Sequence, residues 1–386
     1  MDLASLLIFV AVIVIAFLCK VNTGLLAIGA ALILSRIAGI SDKALLGMFD
    51  SKMFIMLLGV MYIFCIAQEN KTLELLSKKI LALCKGKVKL FPLLLFLLAA
   101  VLSAIGPGLI SVTALMAAMV VALAKETNVH PIKLLPFATL GSFAGGLSPI
   151  TPSGIVAISK ATEAGISGLE APLMWNMALT NLLYAAILYF FVFKCHKLPD
   201  AAPAQEENTQ RFTWKHWATL AGIAVTALAT VLLNINVGLV AIAVSVVLTV
   251  LGVADEGASL KKIPWGTLMM IAGVGMLISV VTELGGIVLL TQFLSRLMNR
   301  ITAGPIMAIL AGVMSWFSSA SGVVMPTLIP TVPGLVENLP GVSALSLTVS
   351  LCIGAHLAAL SPLSSCGGLM LAAYSSDESV DTKARN

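Results

Sequence analysis

Apolar runs broken by short polar groups fill most of this chain. Leu3 to Cys19, Ala218 to Ala254 and Gly304 to Val336 are each long enough to span or fill a bilayer. Length and apolarity predict spans at about 3–19, 23–40, 53–68 and 172–194, then at about 216–234, 237–253 and 265–282. The first run opens on Asp2 and is followed by Lys20, with no small-residue cleavage site, so an uncleaved span is expected. Residues 70–86 differ. Leu73, Leu75, Leu76, Ile80 and Leu81 are interleaved with Lys71, Lys78, Lys79 and Lys85, the pattern of an amphipathic helix lying in the headgroup layer. A similar stretch, Leu284 to Ala303, carries Arg296 and Arg300.

Two long apolar stretches are interrupted at their middles. Residues 90–124 contain Gly106-Pro107-Gly108, and residues 305–335 contain Ser315, Ser318, Ser319 and Ser321. Each arm is too short to cross a bilayer, so each stretch is predicted to be a re-entrant helical hairpin. Two further segments, 132–164 and 344–374, are expected to be broken helices. Their breaks are related: Leu140 to Gly154 reappears as Ile353 to Gly367, small-residue helix followed by Ser-Pro and a cluster of hydroxyls. The chain therefore divides into a first repeat (1–195), a polar linker (196–214) and a second repeat (215–386). If the hairpins count as no crossing, the first repeat crosses an odd number of times, and the second starts from the opposite side. The expected fold is an all-α polytopic membrane protein of two inverted repeats, each with a hairpin and a broken helix.

Composition agrees. Charged residues make up 11% of the chain, against roughly 25% in soluble domains. With the N-terminus outside, only Arg36, Lys43, Lys52, Lys160, Arg296 and Arg300 of the 23 Lys and Arg fall outside. The positive-inside rule favours that orientation, with 70–89 and 196–214 cytoplasmic. The net charge of +5 thus reflects topology and not a nucleic-acid surface. The six cysteines show no metal spacing and read as free packing thiols.

A helix broken at mid-membrane frees N–H groups at one new end and carbonyls at the other, and both need partners. The N–H ends suit a carboxylate; carbonyls and hydroxyls suit a hard cation such as Na⁺. One isolated serine in a membrane helix is usually an internal hydrogen bond. Four breaks in two matched pairs point instead to a binding site. The candidate substrate-binding residues are Gly108, Ser148, Thr151, Pro152, Ser153, Ser319, Ser321, His356, Ser361, Ser364, Ser365 and Cys366. The candidate ion-binding residues are Ser103, Gly106, Gly146, Ser315, Ser318, Ala320 and Ala359. No Asp or Glu falls at mid-membrane, which disfavours a proton antiporter, and the absence of a Gly-x-Ser-x-Gly motif disfavours an intramembrane hydrolase. A channel remains a further class, disfavoured by the repeat.

This arrangement resembles the divalent anion:sodium symporter family of the ion transporter superfamily, and within it the dicarboxylate carriers of malonate-carrier type. In that family each hairpin tip carries a Ser-Asn-Thr motif. Here the second tip reads Ser319-Ala320-Ser321, with Ser315 upstream. The first reads Pro107-Gly108-Leu109, between Ser103 and Ser111, so both asparagines are absent. The resemblance implies Na⁺-coupled symport of a small di- or tricarboxylate by an elevator movement, in a homodimer in the cytoplasmic membrane, with no resident cofactor. It implies a moving block of about 90–195 and 305–374, tied to the scaffold by 70–86 and 284–303. A permease of the same superfamily with another small anion or H⁺ coupling is the alternative. The family also has a helix after its second broken segment, so the chain is expected to lack its final helix.

Overall fold

The computed structural model describes residues 1–82, 88–127, 129–195, 211–233 and 235–360. The described residues are 82% helical and contain no strand. In the first half, α1 (Asp2–Cys19), α2 (Thr23–Ala38), the short α3 (Asp42–Gly47), α4 (Ser51–Glu69) and α5 (Thr72–Ala82) precede a helix pair, α6 (Phe91–Ala104) and α7 (Gly108–Thr127). Then come α8 (Leu135–Gly145), α9 (Pro152–Glu163) and α10 (Glu170–Ile187), the last extended by a π-turn to Val192. The second half runs through α11 (Trp214–Leu233), α12 (Val237–Val250), the short α13 (Glu256–Lys262), α14 (Trp265–Glu283) and α15 (Gly286–Leu297). It continues with α16 (Ala303–Phe317), a π-turn (Ala320–Val324), α17 (Met325–Leu328), α18 (Val332–Asn338) and α19 (Ala344–Leu357), closed by a 3₁₀ turn at Ala358–Leu360. Most of the predicted linker and the end of the second broken segment lie outside the described residues.

Among the described residues, four helices, α1, α4, α10 with its extension and α14, are long and apolar enough to cross a membrane. At 1.5 Å per residue, the 18 residues of α1 reach about 27 Å. Leu3, Leu7, Val10, Val14 and Leu18 on α1 and Leu179, Leu183 and Phe190 on α10 and its extension are exposed. Bare apolar faces of this kind belong against lipid. The chain is a multi-pass membrane protein.

The helix starts explain part of this order. Asn22 caps α2 by accepting the Gly24 and Leu25 N–H groups at 2.9 and 3.3 Å, and Asn236 caps α12 by accepting those of Gly238 and Leu239 at the same two distances. An Asn side chain at this position satisfies N–H groups that the helix leaves orphaned. The glycine that follows each cap opens a close crossing. Gly24 meets Gly273 of α14, and Gly59 of α4 meets Gly238 of α12; a Cβ added at Gly24, Gly273 or Gly59 would overlap backbone of the facing helix. Each crossing joins a helix of the first half to one of the second.

The chain forms two compact units, each drawing on both halves. One comprises Met1–Leu57, Ser153–Leu173 and Pro264–Ala359. Its core packs Phe9 and Val12 of α1 and Ala27, Ala31 and Leu34 of α2 against Val274, Leu277 and Val281 of α14. In the same unit, the Lys160 ammonium on α9 lies 3.3 Å from Asp50 and 2.7 Å from Glu163. Asp50 also accepts the Met53 N–H at 2.9 Å, capping α4. The lysine side chain is 9% exposed, so this is a largely buried ion pair.

The other unit, in its described part, comprises Leu58–Pro152 and Met174–Ile263. There Phe96, Phe137, Leu140 and Ala144 pack with Tyr189, whose hydroxyl donates to the Lys89 carbonyl at 3.1 Å. The amphipathic α5 carries a Glu74–Lys78 pair on its exposed side, and Lys262 pairs with Glu69 at the end of α4. Asn70, just beyond α4, donates to Thr219 at 2.6 Å, holding the start of α11 beside it.

Candidate substrate site

The helix pair α6–α7 turns at Ile105-Gly106-Pro107. Gly106 and Gly108 take φ of +143° and +78°, values that an L side chain rarely adopts. Gly106 also has no room for a Cβ, which would run into the Phe64 ring. Pro107 between them cannot donate a backbone hydrogen bond, so helix cannot run through this point. The turn is imposed by three consecutive residues.

The first broken helix faces this tip. α8 ends at Gly145, the chain crosses residues 146–151 without helix, and α9 starts at Pro152. Thr151 ties the gap together: its buried hydroxyl lies 2.8 Å from the Gly146 carbonyl and 2.7 Å from that of Ser148. The position a Cβ would take on Gly108 lies 3.1 Å from Pro152 Cδ, and that on Gly146 lies 3.2 Å from Leu109 Cβ. The start of α7 therefore meets the gap and Pro152 at one point. α7 offers its positive, N–H-bearing end there, a setting that favours a carboxylate. Ser148 is buried in the gap and Ser153 is buried in the first turn of α9. Behind the tip, Ser103 on α6 and Thr113 on α7 have buried hydroxyls without a hydrogen-bond partner.

The second tip is built differently. α16 and the helices from Ala320 to Asn338 are bent by 118° at Ser318-Ser319. Ser318 turns its hydroxyl back onto the Met314 carbonyl at 2.7 Å, while Ser319 Oγ accepts the Gly322 N–H at 3.1 Å and so starts the π-turn. Ala320 and Ser321 lie half-buried in that turn. Gly322 presses on Met270 of α14. Across from α16 runs α19, drawn close because Gly354 meets Ala308 and Gly312 meets Ala358. On this pair two more buried polar groups lack partners, Ser315 Oγ and His356 Nε2. Ala359 sits half-buried in the closing 3₁₀ turn. Ser361, Ser364, Ser365 and Cys366 lie outside the described residues.

In the first half the structure brings Gly108, Gly146 and Pro152 to one place; in the second it brings His356 and Ser315 onto one helix pair. Sequence reasoning missed Thr113, which stands in an otherwise apolar arm, and Phe64, whose ring fills the space under Gly106. It named Thr151 a candidate substrate-binding residue, and the hydroxyl proton is engaged by the carbonyls of its own loop. No group of His, Cys, Asp and Glu suited to a metal ion occurs among the described residues.

Residues 1–146 match the family described as dicarboxylate carrier protein MatC N-terminus. The match covers less than half of the chain, and it is this part that is similar to that family. The match ends at Gly146, so it takes in the first hairpin tip and the first arm of the break. No curated protein matches the chain. The likeness points to a transporter rather than an enzyme, and the family's description points to dicarboxylates as the substrate class.

Proposed function

We propose that the chain carries a small di- or tricarboxylate together with Na⁺. Substrate is held where the first tip meets the first break. The observation that carries this reading is the meeting of Gly108 with Pro152. The start of α7 supplies N–H groups there for a carboxylate without a buried arginine, whose desolvation is costly. Buried hydroxyls of Ser103 and Ser315, one behind each tip, are oxygen ligands suited to a hard cation. In this reading the hairpins and broken helices, about 90–195 and 305–374, move as an elevator block within a homodimer. The N-terminus lies outside and 70–89 and 196–214 face the cytoplasm. The test is uptake of labelled malonate, succinate, malate, tartrate and citrate into proteoliposomes. Saturable uptake that collapses without a Na⁺ gradient is expected; conductance independent of any gradient would mark a channel and overturn the reading.

A further inference from the structure

Gly106 and Gly108 leave the first tip little stiffness of its own. They lie at φ of +143° and +78°, and glycine gives up more conformational freedom on ordering than any other residue. On the α6 side the turn is closed by the Ile105 N–H, which donates to the Val101 carbonyl at 3.1 Å, and the Gly106 N–H, which donates to the Ser103 carbonyl at 3.3 Å. Pro107, next in line, has no N–H to add. A helix start captures a carboxylate well only when its N–H groups are already aimed, because ordering them on binding subtracts from affinity. The tip therefore needs a support from outside its own hairpin.

Phe64 on α4 supplies one. Its ring is 5% exposed, and the ring edge lies against Gly106, in the space that a Cβ would take. Beside it is an apolar pocket of about 20 Å³, bordered by Phe64, Ile105 of the tip, Ile150 of the gap and Ile223, Thr226 and Ala227 of α11. That is room for about one water, far short of a dicarboxylate. The Thr226 hydroxyl in its wall already donates to the Gly222 carbonyl at 2.9 Å, so the lining offers a water too few polar partners. The pocket marks a shared seat. The tip, through Ile105, and the gap, through Ile150, rest on the same apolar support, which fixes one against the other without touching a carboxylate.

We infer that Phe64 is a positioning residue for substrate: its ring, at this apolar seat, holds the start of α7 against the gap. The inference rests on the carboxylate-carrier reading above and deepens it, placing part of the affinity in a side chain that binds nothing itself. The test measures binding of succinate and malonate to the purified full chain by calorimetry, with initial uptake rates in proteoliposomes as a second readout. Phe64→Ala keeps every N–H of α7 but removes the support. Kd and KM should rise about tenfold or more, since a displacement of about 1 Å at a binding group costs up to 10²-fold. kcat should stay within about threefold, because bound substrate itself gathers the tip. Phe64→Leu keeps apolar bulk and should recover most of the affinity. Phe137→Leu, at the equally buried ring near the start of α8, loses comparable packing; it should lower the unfolding midpoint and leave KM unchanged. Wild-type affinity in Phe64→Ala overturns the inference and leaves the carboxylate reading standing. So does a fall in kcat without a rise in KM, or a KM shift of the same size in Phe137→Leu. Should Phe64→Ala not fold, Phe64→Val carries the test: KM raised at least about threefold is expected, and no rise overturns the inference. Binding of neither acid by the wild type overturns both readings.

Discussion

Replacing the partners of Lys160 one at a time should show how much of the fold hangs on a single buried ion pair. The ammonium is 9% exposed, Asp50 is 19% exposed and Glu163 is 53% exposed. Removing one partner of a fully buried pair costs about 3–5 kcal/mol, because the remaining charge is stranded. Here Glu163 stays at 2.7 Å as a second partner, so Asp50→Asn should cost less, about 1–2 kcal/mol. Asn still caps a helix nearly as well as Asp, and the cap on α4 survives. Asp50→Ala removes pair and cap together and should cost about 1 kcal/mol more. Lys160→Met keeps the aliphatic stem and should cost about 1–2 kcal/mol, leaving Asp50 at a helix start where its charge is favoured. Glu163→Gln, at the exposed end, should cost less than about 1 kcal/mol. The assay is reversible unfolding in mixed detergent micelles, followed by tryptophan fluorescence, with the double variant Asp50→Asn/Lys160→Met closing the cycle. A coupling of at least about 1 kcal/mol is expected. Strict additivity of the two single variants would refute the claim that the pair joins α9 to α4.

The close crossings make a second expectation: Gly24→Ala or Gly59→Ala should cost about 1–3 kcal/mol or more, as overpacking does, seen as loss of the monodisperse peak in fluorescence-detected chromatography. At the first tip, Gly108→Ala meets both a φ of +78° and Pro152 at 3.1 Å. It should abolish uptake while folded yield falls little; retained uptake would remove Gly108 from the site. Among cysteines, Cys19 is exposed whereas Cys195 is buried, and burial raises the Cys195 thiol above its ordinary range. In a background lacking Cys84 and Cys366, maleimide should therefore label Cys19 at least about tenfold faster in detergent.

Much of this architecture was legible because glycine and proline act locally. Gly106-Pro107-Gly108 forbids helix wherever it occurs, and Ser148-Pro149 ends one, so the first tip and break follow from the chain alone. The amphipathic α5 was legible for a similar reason, its lysines alternating with leucines over a single helix. The glycine crossings were not. Gly24 and Gly273 are unremarkable in their own windows, and only the fold decides which glycine faces which. Charge counting put Lys160 outside or near an outer end but could not show that Asp50, far away in sequence, pairs with it in a largely buried ion pair. At the site, residue type named His356 and Ser315 but could not tell a bonded group from an unbonded one. Thr151 shows the converse, a hydroxyl in the expected loop whose proton is already engaged there.

The reciprocal crossings have a consequence for how the protein is made. α2 leaves the ribosome long before α14, and α4 long before α12, so each early helix waits with an open glycine notch. At about 5–20 residues per second, the wait between α2 and α14 is on the order of tens of seconds. During that interval the only surfaces available to the notch are lipid, the insertion machinery or another nascent copy of the same chain. The first half is therefore not a module that folds and then receives a companion. Two of its close helix crossings are completed only by residues synthesised later, and quality control in the membrane acts on that unfinished state.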